Sequence, residues 1–123
     1  MAFTERMDTR TYISGSAVAQ FTFVSLAADG QVDNTAANAR TDGVALAAAT
    51  GAGEAIAVAY DGRVTVVTGA AGGIARGDAV AVDAAGKAKK AASTNVIVGY
   101  ALEAGAAGQV ITIELSRADK AAA

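Results

Sequence analysis

The sequence predicts an all-β protein: a small pseudo-symmetric barrel or sandwich built from two related β units, with an extended N-terminal arm. Several short segments alternate apolar and polar residues, as half-buried strands do. Glycine and Asx residues mark the turns between them, because the chain has 14 glycines and no proline. Much of this pattern also occurs twice. At 123 residues the chain can build one core, so we expect one β domain over residues 13–117, with residues 1–12 as the arm and 118–123 as a frayed tail.

The repeat is clearest in the glycines. Gly30 and Gly86 are 56 residues apart, as are Gly43 and Gly99. Further apolar positions align at this offset, or after a one-residue slip in the closing strands: Leu26 with Val82, Leu46 with Leu102, Ile56 with Ile111 and Val58 with Ile113. The copies span approximately residues 21–68 and 77–117. Two copies are too few for a solenoid, which favours a barrel or sandwich.

Alternation and turn residues place the individual elements. Four segments are predicted strands: Phe21–Ala27, Asp78–Ala84, Asn95–Glu103 and Gln109–Arg117. Residues 54–67 predict a hairpin with a loop at 60–62, in which Gly62 is left-handed and Val58 lies opposite Val64. Alanines favour a short helix at Asn34–Arg40, although the corresponding segment of the second copy favours a loop.

The composition argues against catalysis and against bound cofactors. The chain has no histidine and no cysteine, and its acidic residues stand at turns and strand ends, where Asp is favoured for local reasons. We therefore expect no catalytic residues, no cofactor and no metal site. The glycine-rich segment Gly69–Asp78 lacks the lysine and hydroxyl of a phosphate-binding loop. Its Arg-Gly-Asp tripeptide is interpreted as a turn that leads into the next strand.

The charge distribution argues against nucleic acid and membranes as partners. The net charge is −2, whereas phosphate binding needs a clustered basic face. Lys87, Lys89 and Lys90 form the only basic cluster, which we interpret as a solvated strand end. No window has the long apolar run of a membrane-spanning helix, and the first ten residues lack the apolar run of a signal peptide.

The second half of the chain carries an ordered set of short motifs. They are, in order, Gly77-Asp78 entering a strand, the turn Asp83–Lys87, the pair Ser93-Thr94, the segment Val98–Ala101, a turn from Gly105 to Gly108 and the closing strand Val110–Ile113. In this order they resemble the capsid cement family of tailed bacteriophages, the small head decoration proteins. The segment Gly43–Val66 is similar to the first half of that family.

The resemblance implies a mechanical function rather than an enzymatic one. Such a protein is made in the host cytoplasm, binds the outer face of the matured phage head and bridges neighbouring major capsid protein subunits. The family also suggests a homotrimer at threefold positions. The alternative is a glycan- or cell-surface-binding β module displayed on a particle.

The arm is the expected point of attachment. It is more charged than the rest of the chain, and an extended arm can add a strand to the edge of a partner's sheet. We expect Phe3, Met7 and Tyr12 to act as apolar anchors, and Arg6 and Arg10 to pair with capsid carboxylates.

Overall fold

The computed structural model describes residues 7–28 and 30–115, and this part of the chain contains nine strands and no helix. The strands are β1 (Met7–Ser14), β2 (Phe23–Ala28), β3 (Gln31–Asn34), β4 (Gly43–Ala45), β5 (Ala55–Val67), β6 (Ala79–Val82), β7 (Ala88–Lys90), β8 (Gly99–Ala101) and β9 (Val110–Leu115). The predicted all-β class is confirmed. Accordingly, none of the described residues belongs to a helix long and apolar enough to cross a membrane.

The first five strands close into a barrel. Their order is β1-β3-β2-β4-β5, and β1 closes the ring because it pairs in parallel with β3 and antiparallel with β5. The ladder between β1 and β5 runs from the Met7–Gly62 pair to the Ile13–Ala55 pair. The beginning of the chain that the structure describes is therefore a barrel strand.

The second half forms a ring of the same kind. Its strand order is β5-β9-β8-β6-β7, and it returns to its start at a parallel bridge between Thr68, which directly follows β5, and Ala88 in β7. β5 thus contributes its first half to one barrel and its second half to the other.

The two barrels repeat one pairing scheme. At an offset of 56 residues, β2, β3 and β4 correspond to β6, β7 and β8. The isolated bridge between Val18 and Ala49 has its counterpart, at the same offset, in the bridge between Ile74 and Gly105. Each half of the described chain therefore forms its own ring, with its own inward-facing side chains.

The predicted hairpin at residues 54–67 is wrong. These residues form the continuous strand β5, whose first half pairs with β1 and β4 and whose second half pairs with β9. Gly62 does have the expected positive φ, at 94°, but it lies within a strand that passes from one barrel to the other. The predicted short helix is also wrong, because residues 35–40 form a turn in which Asn38 has a φ of 62°.

Each barrel encloses an apolar core. The first core is a cluster of buried residues with Tyr12 packed against it: Val18, Val24, Val32, Ala45, Ala49, Ile56 and Val58. The second core uses the corresponding positions, among them Ile74, Val80, Ala88, Ala101, Ile111 and Ile113. Small and β-branched side chains predominate in both, which suits the narrow interior of a five-stranded ring.

The second core extends onto the first barrel. It includes Phe23, Val44 and Ala59, which form a transverse row across β2, β4 and β5 and have no exposed surface. Their chain neighbours Val24 and Val58 point into the first barrel, so the row lies on the outer face of that barrel, because successive side chains of a strand alternate. One end of the second barrel therefore packs on this row, and we call the contact the seam.

Candidate functional site

The structure places three of the five predicted attachment residues in strand β1. Met7, Arg10 and Tyr12 lie on the ladder with β5, opposite Gly62, Val58 and Ile56. Phe3 and Arg6 lie outside the described residues. The described part of the predicted arm is therefore held along β5 by backbone pairing.

The side chains of β1 alternate between the two faces of the barrel wall. Tyr12 is half-buried against the first core, and Ser14 is fully buried. Arg10 shares their face but is exposed, while Thr11 and Ile13 are exposed on the outer face. Tyr12 thus contributes to the barrel core, and Arg10 stands at the end of that barrel.

One edge of β1 has few backbone partners. In the described part of the chain, β3 pairs with β1 only at Ile13 and Ser14, whereas the opposite edge pairs with β5 over the whole strand. The edge from Met7 to Tyr12 that faces away from β5 is therefore outside any described ladder. Such an edge can accept a strand from another chain.

Arg10 belongs to a set of residues at one end of the first barrel. We call this set, Arg10, Leu26, Asp42 and Tyr60, the first-barrel end. Their counterparts in the second barrel, Val64, Val82, Val98 and Leu115, share the buried cluster at the seam. Leu26 is 49% exposed, and its backbone N–H donates to Asp42 Oδ2 at 2.8 Å. Asp42 also pairs with the exposed Arg40 at 3.6 Å.

A second exposed set crosses the outer face of the second barrel. Arg63, Glu114, Tyr100 and Ala79 are successive partners across β5, β9, β8 and β6. We call them the second-barrel row. Tyr100 is 45% exposed, and Arg63 Nε lies 3.5 Å from Glu114 Oε1. These positions correspond to the seam row of the first barrel, in which Phe23, Val44 and Ala59 are buried.

Sequence reasoning did not single out Leu26 or Tyr100 as surface residues. The alignment of the copies does pair Leu26 with Val82, but both are apolar, and their difference in exposure arises only from the seam. The signal was available at Tyr100, since its counterpart Val44 is aliphatic and an aromatic residue there departs from the repeat.

The acidic side chains organise turns. Glu54 accepts hydrogen bonds from Thr50 Oγ1 and from the backbone N–H groups of Thr50 and Gly51, at 2.6–3.0 Å. The Thr50 hydroxyl bond is the main cause that lowers the pKa of Glu54 below its ordinary value. Asp83 Oδ1 likewise accepts from two backbone N–H groups of its turn. Among the described residues no cluster of three or more potential ligands could hold a metal ion.

Comparison with known families decides the class of this two-barrel protein. The model of the phage cement protein family matches residues 42–116, more than half of the chain. The chain belongs to the phage cement protein family. The predicted resemblance is confirmed, and the cement protein is a structural protein associated with the phage capsid.

A solved structure shares the fold of this cement protein. It is the N base of the head fiber protein gp8.5 of bacteriophage phi29, with a TM-score of 0.75 and 23% sequence identity, covering 94% of this chain and 98% of that one. At this identity the likeness concerns the fold alone. No curated protein matches the chain.

Proposed function

We propose that this cement protein binds the outer face of the phage head and bridges neighbouring major capsid protein subunits. The observation that carries the proposal is the family match, which spans β4, β5 and the whole second barrel. The proposal places the protein on the virion after its synthesis in the host cytoplasm, as a homotrimer and without enzymatic activity. Many copies on a lattice stabilise it together, so each contact needs only modest affinity.

The beginning of the chain is the proposed point of attachment to the capsid. The open edge of β1 supports this role, because a capsid segment can extend the barrel wall there by strand addition. Phe3 and Met7 would then anchor apolar contacts, and Arg6 and Arg10 would pair with capsid carboxylates. Tyr12 has a smaller part than the sequence suggested, since its ring is half-buried against the first core.

The glycan-binding alternative has less support. It needs aromatic platforms exposed beside polar groups. Of the three tyrosines, all of which the structure describes, Tyr12 and Tyr60 are half-buried, and only Tyr100 is exposed. We therefore do not propose it.

The test is co-sedimentation of the purified protein with mature heads that lack it and with their unexpanded precursors. We expect saturable binding to mature heads, lost in a chain that starts at Thr11 and weakened at least tenfold in Arg6→Glu. Arg76→Glu is the matched control, because Arg76 is exposed in a turn of the second barrel. Circular dichroism must show that each variant is folded, since the truncation removes part of the β1–β5 ladder. Absence of binding to either form of head would overturn the proposal.

A further inference from the structure

The seam shows which surfaces of this fold fit each other. Within the chain, one end of the second barrel, which includes Val82, covers the outer row of the first barrel, which includes Val44, and both residues are fully buried. The counterpart of Val82 is Leu26, and the counterpart of Val44 is Tyr100. Leu26 and Tyr100 are the most exposed large apolar residues of the described part, at 49% and 45%. The chain therefore exposes a counterpart of each of the two surfaces that meet at the seam, one around Leu26 and the other around Tyr100.

The backbone that shapes the seam also recurs at these exposed places. Across the seam, the Asn38 N–H donates to Val82 O at 2.9 Å and the Phe23 N–H donates to Gly86 O at 2.7 Å. Asn38 has a φ of 62°, and its counterpart Thr94 has a φ of 73°. Gly86, at 77°, is matched by Gly30 at 73°. The surfaces that would meet in a second seam thus keep the unusual conformations of the first.

The surroundings of Gly86 and Gly30 also show that a turn buried at the seam corresponds to an exposed turn elsewhere. A Cβ placed on Gly86 would lie 2.9 Å from Asn34 Nδ2, because the seam packs closely there. A Cβ placed on Gly30 would meet nothing within 4 Å. The turn at Gly30 is the open counterpart of a turn that is covered at the seam. In sequence, the residue matching Asn34 is the exposed Lys90.

A salt bridge lies beside each of the two exposed apolar residues. Leu26 lies beside Asp42, which pairs with Arg40. Tyr100 lies beside Glu114, which pairs with Arg63. Each apolar residue thus has one cation and one carboxylate near it. Exposed pairs of this kind contribute little affinity, but they fix the orientation of a contact.

We propose that copies of this protein associate head to tail, with the first-barrel end of one copy docked on the second-barrel row of the next. The partner is a second copy of the same chain, oriented as the second barrel is oriented on the first. Leu26 of one copy then occupies, near Tyr100 of the other, the place that Val82 has within the chain. Such a contact is heterologous, because it joins two different surfaces. The inference names the contact within the proposed homotrimer, but it rests on the seam and not on capsid binding.

Complementary variants of the full-length protein test the proposal. Leu26→Glu removes one surface and Tyr100→Glu removes the other. Ala52→Glu is the control, because Ala52 is exposed in the turn that precedes β5 and belongs to neither surface. Sedimentation velocity and native mass spectrometry measure association across a concentration series. We expect the wild type and Ala52→Glu to associate equally, and each of the other variants to associate at least tenfold more weakly, about 1.4 kcal/mol.

Mixing the two weakened variants gives the decisive result. Each retains one intact surface, so a mixture of Leu26→Glu and Tyr100→Glu should form a 1:1 heterodimer that does not grow further. Thermal unfolding must show that both variants are folded. A wild type that stays monomeric throughout, single variants that associate normally, or a mixture that forms no heterodimer would each overturn the proposal. Phage heads are absent from this assay, so its failure leaves the capsid-binding proposal to be judged by co-sedimentation.

Discussion

Phe23→Ala should weaken the packing between the two barrels and lower the free energy of unfolding. Phe23 is the largest buried side chain of the seam and has no exposed surface. Returning a fully buried Phe side chain to water costs about 2–3 kcal/mol, and the cavity that it leaves adds to this. The walls of that cavity are held by strand pairing and by the 2.7 Å bond from the Phe23 N–H to Gly86 O, so they cannot collapse freely. We expect a total loss of about 4–5 kcal/mol, against a stability of roughly 6–18 kcal/mol for a chain of this length.

Urea unfolding and native-state hydrogen exchange measure the effect. Besides the loss of stability, we expect amides of the second barrel to exchange faster, since its core is the one that Phe23 completes. Tyr100→Ala is the matched control: it is the exposed aromatic of the corresponding outer row, and under conditions where the protein is monomeric it should change stability by less than about 0.5 kcal/mol. A loss below about 1 kcal/mol for Phe23→Ala would refute the reasoning that the seam joins the two cores.

Three further predictions concern single positions. Gly99→Ala should lower the free energy of unfolding by about 1–3 kcal/mol, because a Cβ there would lie 2.5 Å from a backbone carbonyl oxygen of β9. Gly51→Ala is the control: a Cβ there would meet nothing within 4 Å, so the same urea titration should show no loss of stability or a small gain. Thr68→Val should raise the free energy of unfolding by about 1 kcal/mol, and with it the melting temperature, since the buried Thr68 hydroxyl has no hydrogen-bond partner among the described residues. Ser14→Ala should lower the melting temperature, because the Ser14 hydroxyl donates to a backbone carbonyl at 2.7 Å. The carboxylate of Glu54 has a pKa lowered from its ordinary value of 4.5, so its stabilising contribution is complete above that value and is lost as the pH falls through the lower folded-state pKa. The difference in stability between wild type and Glu54→Gln should therefore be constant at neutral pH and shrink on acidification, and a constant difference down to pH 3 would contradict this.

The sequence was sufficient for the repeat and for the strands β2, β6, β8 and β9, because both depend on local signals, but it did not predict the strands β1, β3, β4 and β7. A glycine with positive φ, such as Gly30 or Gly86, ends a strand for reasons contained within its own turn. The course of β5 could not be predicted in this way. A left-handed Gly62 fits a hairpin loop and a bend in a continuous strand equally well, and the choice depends on partners more than 40 residues away, in β1 and β9. The same applies to Tyr12, whose exposure is limited by a core built from later segments.

The difference between the two barrel ends distinguishes the seam within the chain from the proposed contact between copies. At the two barrel ends, four pairs of corresponding positions differ in chemistry: Arg10 and Val64, Leu26 and Val82, Asp42 and Val98, and Tyr60 and Leu115. The aliphatic members meet at the seam, where burial and chain connectivity act together. If the first-barrel end were equally aliphatic, every copy would expose a large apolar surface able to dock on the second-barrel row of another copy. Head-to-tail association would then continue without limit. In the proposed contact, charged and polar residues at that end would surround Leu26 and weaken the association, so that it would depend on the concentration of the protein.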